Sequence, residues 1–272
     1  MKRLKLIGIL LSIAFCAQNQ NIFPAGNSGL NDTLSKIKKT NKAFTYGEKL
    51  SYRIHYGILD GGKAKFVIAD KPEMVNGRNT YHVKVTGNSA GLVDLMFKVK
   101  DEFESFIDEE SVVPLKATKK VREGKYTDAD FILFDHERHF AASRRGKTEI
   151  ETNSQDVVSA IYYARITDMG NAKIGDLFPV PFYLDGKTYE LRFRYVGKEN
   201  ISTSKGIFRC LKVKPQLIEG RIFKDNDALT LWVTDDENHI PIRVESDIFM
   251  GSIKADIIDF SGIKNPLSSK IK

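Results

Sequence analysis

The sequence predicts an all-β, mainly antiparallel fold. The expected form is a strongly curved, barrel-like sheet, open or half-closed, with one main α-helix near residues 154–167. Three observations predict it. Short runs of alternating apolar and polar residues, rich in β-branched and aromatic side chains, recur along most of the chain. Clusters of Gly, Asn, Asp and Pro separate them at turn-like intervals. The spacing changes clearly to a helical one only at Gln155 to Thr167, where Val157, Val158, Ile161, Tyr162 and Ile166 share a face.

Order is expected from about Phe44. Lys49 to Tyr56 alternates, with Leu50, Tyr52, Ile54 and Tyr56 on one face. Lys63 to Ala69 is the next strand, followed by a turn over Asp70 to Asn79 and a strand from Tyr81. Gly87 to Gly91 breaks the pattern, and Leu92 to Phe97 reads as a short helix or an apolar lid. Strands return at Lys98 to Asp108, Val112 to Glu123 and Tyr126 to Asp135. A hairpin is expected around Arg145-Gly146. Ser154 is the expected N-cap of the helix, with Asp156 in its first turn. Beyond Gly175-Asp176 the strands resume at Leu177 to Tyr183 and Lys187 to Tyr195. A turn through Gly197 to Asn200 and a strand from Phe208 come next. Gly251 to Phe260 closes the fold.

Leu229 to Val244 is the best-marked stretch: a strand, an acidic turn and a second strand starting at Pro241. Phe103 to Leu115 echoes it. Asp108 and Asp235 precede Pro114 and Pro241 by six residues, and Gly124 and Gly251 lie ten residues beyond each proline. The offset is 127 to 128 residues almost throughout. This register suggests a duplicated strand–turn–strand–strand unit, although meanders also share turn chemistry without duplication. The domain reading is one β-rich domain over residues 44–262, with similar halves at 44–153 and 175–262 joined by the helix. A flexible leader at 18–43 precedes it and a polar tail at 263–272 follows.

The 272 residues can build a sizeable core. Residues 1–17 read as a signal peptide: a basic start, an apolar stretch from Leu6 to Phe15 too short to span a bilayer, and small residues Ala14 and Cys16 before a cut. The expected location is therefore periplasmic or secreted, with no transmembrane span in the mature chain. Acylation of Cys16 is the alternative, opposed by the bulky Phe15 before it. Cleavage removes three basic residues and lowers the formal charge of +7 to about +4. No basic stripe interleaved with aromatics is present, so nucleic acid is not an expected partner. Cys210 is left as a lone cysteine in an alternating run and reads as a small core residue.

Motifs for chemistry are weak. His136 and His139 form H-x-x-H in a strand or turn, where side chains repeat every two residues. They are expected to be solvated turn residues rather than metal ligands. Asp225 to Asp227 and Asp235 to Asn238 lack the ligand spacing of an EF-hand. No nucleophile elbow or phosphate loop stands out. No catalytic residue, metal or cofactor is expected. What remains is a possible ligand face on the concave side: Tyr52, Tyr56, Phe66, Leu92, Met96, Phe97, Tyr162, Tyr163 and Arg165. The competing reading makes these residues simple core.

Gly47 to Tyr52, Gly61 to Ala64, Asp101 to Asp108, Ser159 to Arg165 and Leu231 to Asp236, in this order, resemble the DUF3108 family of exported bacterial proteins. The resemblance spans about residues 44 to 262. It implies an uncharacterised function and carries over no catalytic residue. The leading expectation is a non-enzymatic envelope protein that binds a hydrophobic small molecule, a lipid or an envelope protein. The alternatives are an assembly factor without a pocket and a hydrolase whose site is built from distant residues.

Overall fold

The computed structural model describes residues 39–218 and 229–272. The signal-peptide stretch, Cys16, most of the leader and the Asp225-to-Asp227 turn lie outside the described residues. The chain begins with β1 (Lys49–Tyr56), β2 (Leu59–Ile68), β3 (Glu73–Val75) and β4 (Arg78–Ser89). A short helix α1 (Gly91–Met96) leads to β5 (Lys100–Asp108), β6 (Pro114–Glu123) and β7 (Tyr126–Asp135). The hairpin β8 (Phe140–Ser143) and β9 (Gly146–Glu149) precedes α2 (Ser159–Arg165). Six strands complete the chain: β10 (Leu177–Leu184), β11 (Lys187–Thr203), β12 (Gly206–Ile218), β13 (Leu229–Thr234), β14 (Pro241–Asp247) and β15 (Ser252–Ser261).

All fifteen strands form one antiparallel sheet, ordered β10-β11-β12-β13-β14-β15-β1-β2-β4-β5-β6-β7-β8-β9, with β3 beside β4. Two six-stranded meanders therefore lie side by side, joined where β15 pairs with β1. The expected curved, unclosed, barrel-like sheet is present.

The halves match in detail. Gly47 N–H donates to Ala69 O at 3.0 Å, and Gly175 N–H donates to Tyr195 O at 2.9 Å. Ile68 N–H donates to Glu48 O, and Tyr195 N–H to Asp176 O. Ile107 faces Pro114 just after a bulge, and Val233 faces Pro241 just after another. Each proline starts a strand, where its missing N–H costs nothing. Val112 and His239, each two residues before those prolines, both adopt positive φ, at 55° and 42°. A side chain is strained in that region, so its recurrence marks the same turn built twice. The correspondence covers β1, β2 and β4–β7 against β10–β15, more than the strand–turn–strand–strand unit that the sequence suggested.

Three local expectations are corrected. α2 is shorter than Gln155 to Thr167, and its cap is Asp156 rather than Ser154: Asp156 Oδ1 accepts from Val158 N at 2.7 Å and Ser159 N at 2.9 Å. β11 does not turn at Gly197 to Asn200; a bulge at Gly197, with φ of 140°, lets it continue to Thr203. The turn over Asp70 to Asn79 holds the small strand β3, closed by Asn76-Gly77 with both φ values positive.

The outer edges, β9 and β10, do not form a ladder with each other. Pro179 and Pro181 blunt β10. Gln155 covers part of it, donating to Pro181 O and accepting from Tyr183 N, both at 2.8 Å. Lys119 Nζ bridges to Asp185 at 2.6 Å and Asp128 at 2.8 Å. Thr148 donates to Gly186 O. Polar side chains thus span the gap that backbone pairing leaves.

Residues 263–272, read as a polar tail, run beside β12: Ile207 and Arg209 N–H groups donate to Lys272 O and Ser269 O.

Candidate functional site

α2 crosses the concave face of the sheet and splits the interior. On one side Tyr162 joins Phe44, Tyr81 and Val158 in the main core. The rings of Phe44 and Tyr162 meet edge-on at 4.9 Å. The other side presents Val157, Ala160, Ile161 and Ala164, the i, i+3, i+4, i+7 stripe of a helix. Between this stripe and the sheet lies an apolar cavity of about 130 Å³. Leu50, Tyr52 and Ile54 of β1 and Phe66 of β2 form one wall, because alternate strand residues face inward. Phe193 of β11, Leu231 of β13 and Val244 of β14 form another. A second void of about 40 Å³ continues past Ile161 and Phe193 toward Met169.

The charged group of this cavity is Arg165, in the last turn of α2 where the helix dipole favours a cation. It is 2% exposed and its partner Glu48 is 1% exposed. The fork is bidentate: Nη1 lies 2.5 Å from Glu48 Oε1 and Nη2 2.8 Å from Oε2. Nε donates to Asn238 O at 3.0 Å, and Nη2 also donates to Ala43 O at 3.2 Å. Burial alone would lower the pKa of Arg165, but the Glu48 carboxylate overrides it and raises it. The pair is satisfied from the wall side and presents little polar surface inward. Tyr52 Oη donates to Pro241 O at 2.9 Å, and burial pushes its pKa up. Tyr162 Oη is buried without a hydrogen-bond partner, and burial raises its pKa well above the usual phenol value.

An engineered apolar cavity of ~150 Å³ stays dry and takes up benzene. By that measure this one holds a ring or the end of a chain. Each methylene transferred from water contributes about 0.8 kcal/mol.

Of the nine residues singled out from sequence, Tyr52, Phe66, Tyr162 and Arg165 line the cavity. Tyr163 packs in a separate cluster with Val180 and Phe182, and its hydroxyl accepts from Lys39 Nζ. Tyr56 sits at one end of the barrel and donates to Met250 O. Leu92 and Met96 are exposed on α1, which buries none of its residues and so lids nothing. Phe97 lies against Gly124, away from the cavity. Sequence reasoning missed Leu50, Ile54, Phe193, Leu231 and Val244. Alternation marked them as inward-facing but could not distinguish a wall from a filled core. It also missed Glu48, which looks like an ordinary turn acid.

His136 differs from expectation, whereas His139 is a half-buried turn residue. His136 is 1% exposed rather than solvated, stacks on Phe134, and bonds Pro114 O at 2.7 Å through Nε2. Burial lowers its pKa. Cys210 is fully buried, and burial pushes its thiol up to about 12, which suits a packed residue and not a nucleophile. Among the described residues, no three or more of His, Cys, Asp and Glu gather as metal ligands.

In fold the chain is similar to a beta-barrel-like protein of the domain of unknown function DUF1849 from Brucella abortus. That likeness has a TM-score of 0.50 and 8% identity, and covers 80% of this chain and 99% of the other. A protein with a YmcC-like fold from Bacteroides fragilis, described as a candidate exported protein, has a TM-score of 0.35 and 10% identity, covering 80% and 97%. A candidate lipoprotein from Parabacteroides distasonis has a TM-score of 0.37 and 12% identity, covering 82% and 99%. No curated protein matches the chain. The sequence model described as "Protein of unknown function (DUF3108)" matches residues 51–258, most of the described sheet and all of α2, so the chain belongs to the DUF3108 family.

Proposed function

We propose that this is an envelope protein that binds the apolar end of a hydrophobic ligand, such as an acyl chain, between α2 and the sheet. The apolar cavity of about 130 Å³ carries this reading. Packed interiors seldom leave a void of this size, because each one forfeits contacts. Tyr162 is the polar handle: its buried, unpaired hydroxyl suits a ligand acceptor better than a wholly apolar guest. A pocket-free assembly factor acting through sheet edges is less favoured, because prolines and Gln155 guard β10.

Native mass spectrometry of the protein purified from its own cell envelope tests this. The expected result is a co-purifying apolar molecule, lost from the cavity-filling variant Ala64→Leu. A ligand-free protein, or a ligand retained by the filled variant, overturns the reading.

A further inference from the structure

Exposed apolar side chains occur at several places, among them Met74, Phe131 and Ile174, but one end of the barrel gathers most of them. Three connections meet there: the β1–β2 turn, α1 between β4 and β5, and the β14–β15 turn. Hydrogen bonds fix them together. Tyr56 Oη donates to Met250 O at 2.8 Å. Ala90 N–H donates to Gly61 O at 3.1 Å. The neighbouring β6–β7 turn is tied in by Gly124 N–H to Lys98 O at 2.8 Å.

These connections hold large apolar side chains out to water. Ile58 is 91% exposed, Leu95 83% and Phe249 98%; Leu59, Met96 and Met250 are exposed beside them. In α1, Leu92, Leu95 and Met96 share a face at i, i+3, i+4 spacing, yet α1 buries nothing. Scattered exposed apolar residues are normal, but a cluster confined to one end marks an interaction surface.

The charges around it have one dominant sign. Lys63, Lys98, Lys100, Arg122 and Lys125 are all exposed, and none makes an ion pair among the described residues. Of the nearby acids, Asp60 is paired with Arg53, and Asp101 and Glu123 are buried. Asp94, which accepts from the neutral Ser89 hydroxyl, and the exposed Asp247 have no cation partner among the described residues, two acids against five cations. Apolar tips ringed by free cations complement a surface with negative charge outside and hydrocarbon beneath. A second copy of the chain fits worse, because a two-fold contact would set these cations against themselves.

We infer that this end of the barrel docks on an anionic phospholipid surface, with Ile58, Leu95 and Phe249 inserted at the headgroup level. Pro215 and Leu229, which line the cavity, lie toward the same end of β12 and β13. Docking stands on the exposed tips and does not require that the cavity be occupied.

The test is co-sedimentation of the purified chain with vesicles of phosphatidylglycerol and phosphatidylcholine, against phosphatidylcholine alone. The N-terminal segment is common to all variants, so differences between them report the barrel end. The double variant Ile58→Ser and Phe249→Ser is expected to partition at least about tenfold more weakly. Lys98→Gln and Lys125→Gln are each expected to cost about fivefold on the anionic vesicles, an effect that fades in high salt. The substituted side chains are exposed, so an unchanged thermal midpoint confirms folding. Equal partitioning of all forms overturns the inference. So does a lipid-free dimer that the Ile58→Ser, Phe249→Ser variant dissociates, which would make this end a self-interface.

Discussion

The two meanders share turns, bulges and register but differ in what fills them. Strands β4 to β7 enclose a more closely packed interior, with a void of only about 30 Å³ beside Phe103 and Ala117, in which Phe44 wedges between Tyr81 and Tyr162. The second meander has no such wedge among the described residues, and all six of its strands, with β1 and β2, line the cavity. The same turn also diverges chemically. Gly47-Glu48 and Gly175-Asp176 make matching backbone bonds, yet Glu48 is buried against Arg165 while Asp176 is exposed and accepts from Lys173 N. A repeated backbone thus sets where strands turn. The unrepeated elements, α2 and the segment from Lys39 to Tyr46, decide which half is core and which is hollow.

The sharpest way to break this comparison is to treat the two turns alike. Glu48→Ala leaves Arg165 buried without its counter-charge and should cost about 3–5 kcal/mol in urea unfolding, while Asp176→Ala should stay within about 0.5 kcal/mol. Pairing Glu48→Ala with Arg165→Met should recover part of the loss. Equal losses at both turns would mean that the ion pair is not what separates the halves.

Phe44→Ala removes the wedge and should cost about 3 kcal/mol or more, measured the same way. It should also open a void in the packed half that takes up a small apolar probe such as benzene. No uptake would show that the first half collapses where the second cannot.

Two buried groups of the first half should titrate in opposite senses. Burial pushes the Asp101 carboxyl up to about 7, with Glu123 adding and the Arg122 N–H opposing. Its folded pKa exceeds the unfolded value, so its contribution is greatest below about pH 4 and declines as pH rises toward 7, by at most about 1.4 kcal/mol per pH unit. Burial lowers the pKa of His136, so its contribution is complete above about pH 6.5 and is lost as pH falls. Urea unfolding at stepped pH should show Asp101→Asn gaining on the parent as pH rises from 4 to 7, and His136→Gln gaining as it falls below 6.5. Parallel curves would remove both groups from the account.

The smallest effect is expected at the hollow itself. Ala64→Leu projects into existing space and should change stability by less than about 1 kcal/mol, where overpacking a filled core costs about 1–3 kcal/mol. A larger penalty would show the cavity to be less open than its outline.

Much of this was legible in sequence because it rests on local rules. Alternation placed Leu50, Tyr52 and Ile54 on one face, and proline chemistry placed Pro114 and Pro241 at strand starts. The acidic turns before them were read as architecture, and they are. Both Ser154 and Asp156 can cap the helix by chemistry; only packing against β5, where Ser105 Oγ donates to Asp156 at 2.6 Å, selects Asp156. Leu92 to Phe97 reads as a short helix or an apolar lid; the helix is present, but apolar spacing is the same whether its face meets protein or water.

By itself the sequence determined most of the strands and their inward faces, since periodicity, turn residues and proline act over a few neighbours. Only the tertiary structure decided that Glu48 meets Arg165, that Phe44 fills one half, and that the other half is left with a cavity. Those outcomes depend on contacts between residues more than a hundred positions apart, and on volumes that no local pattern encodes.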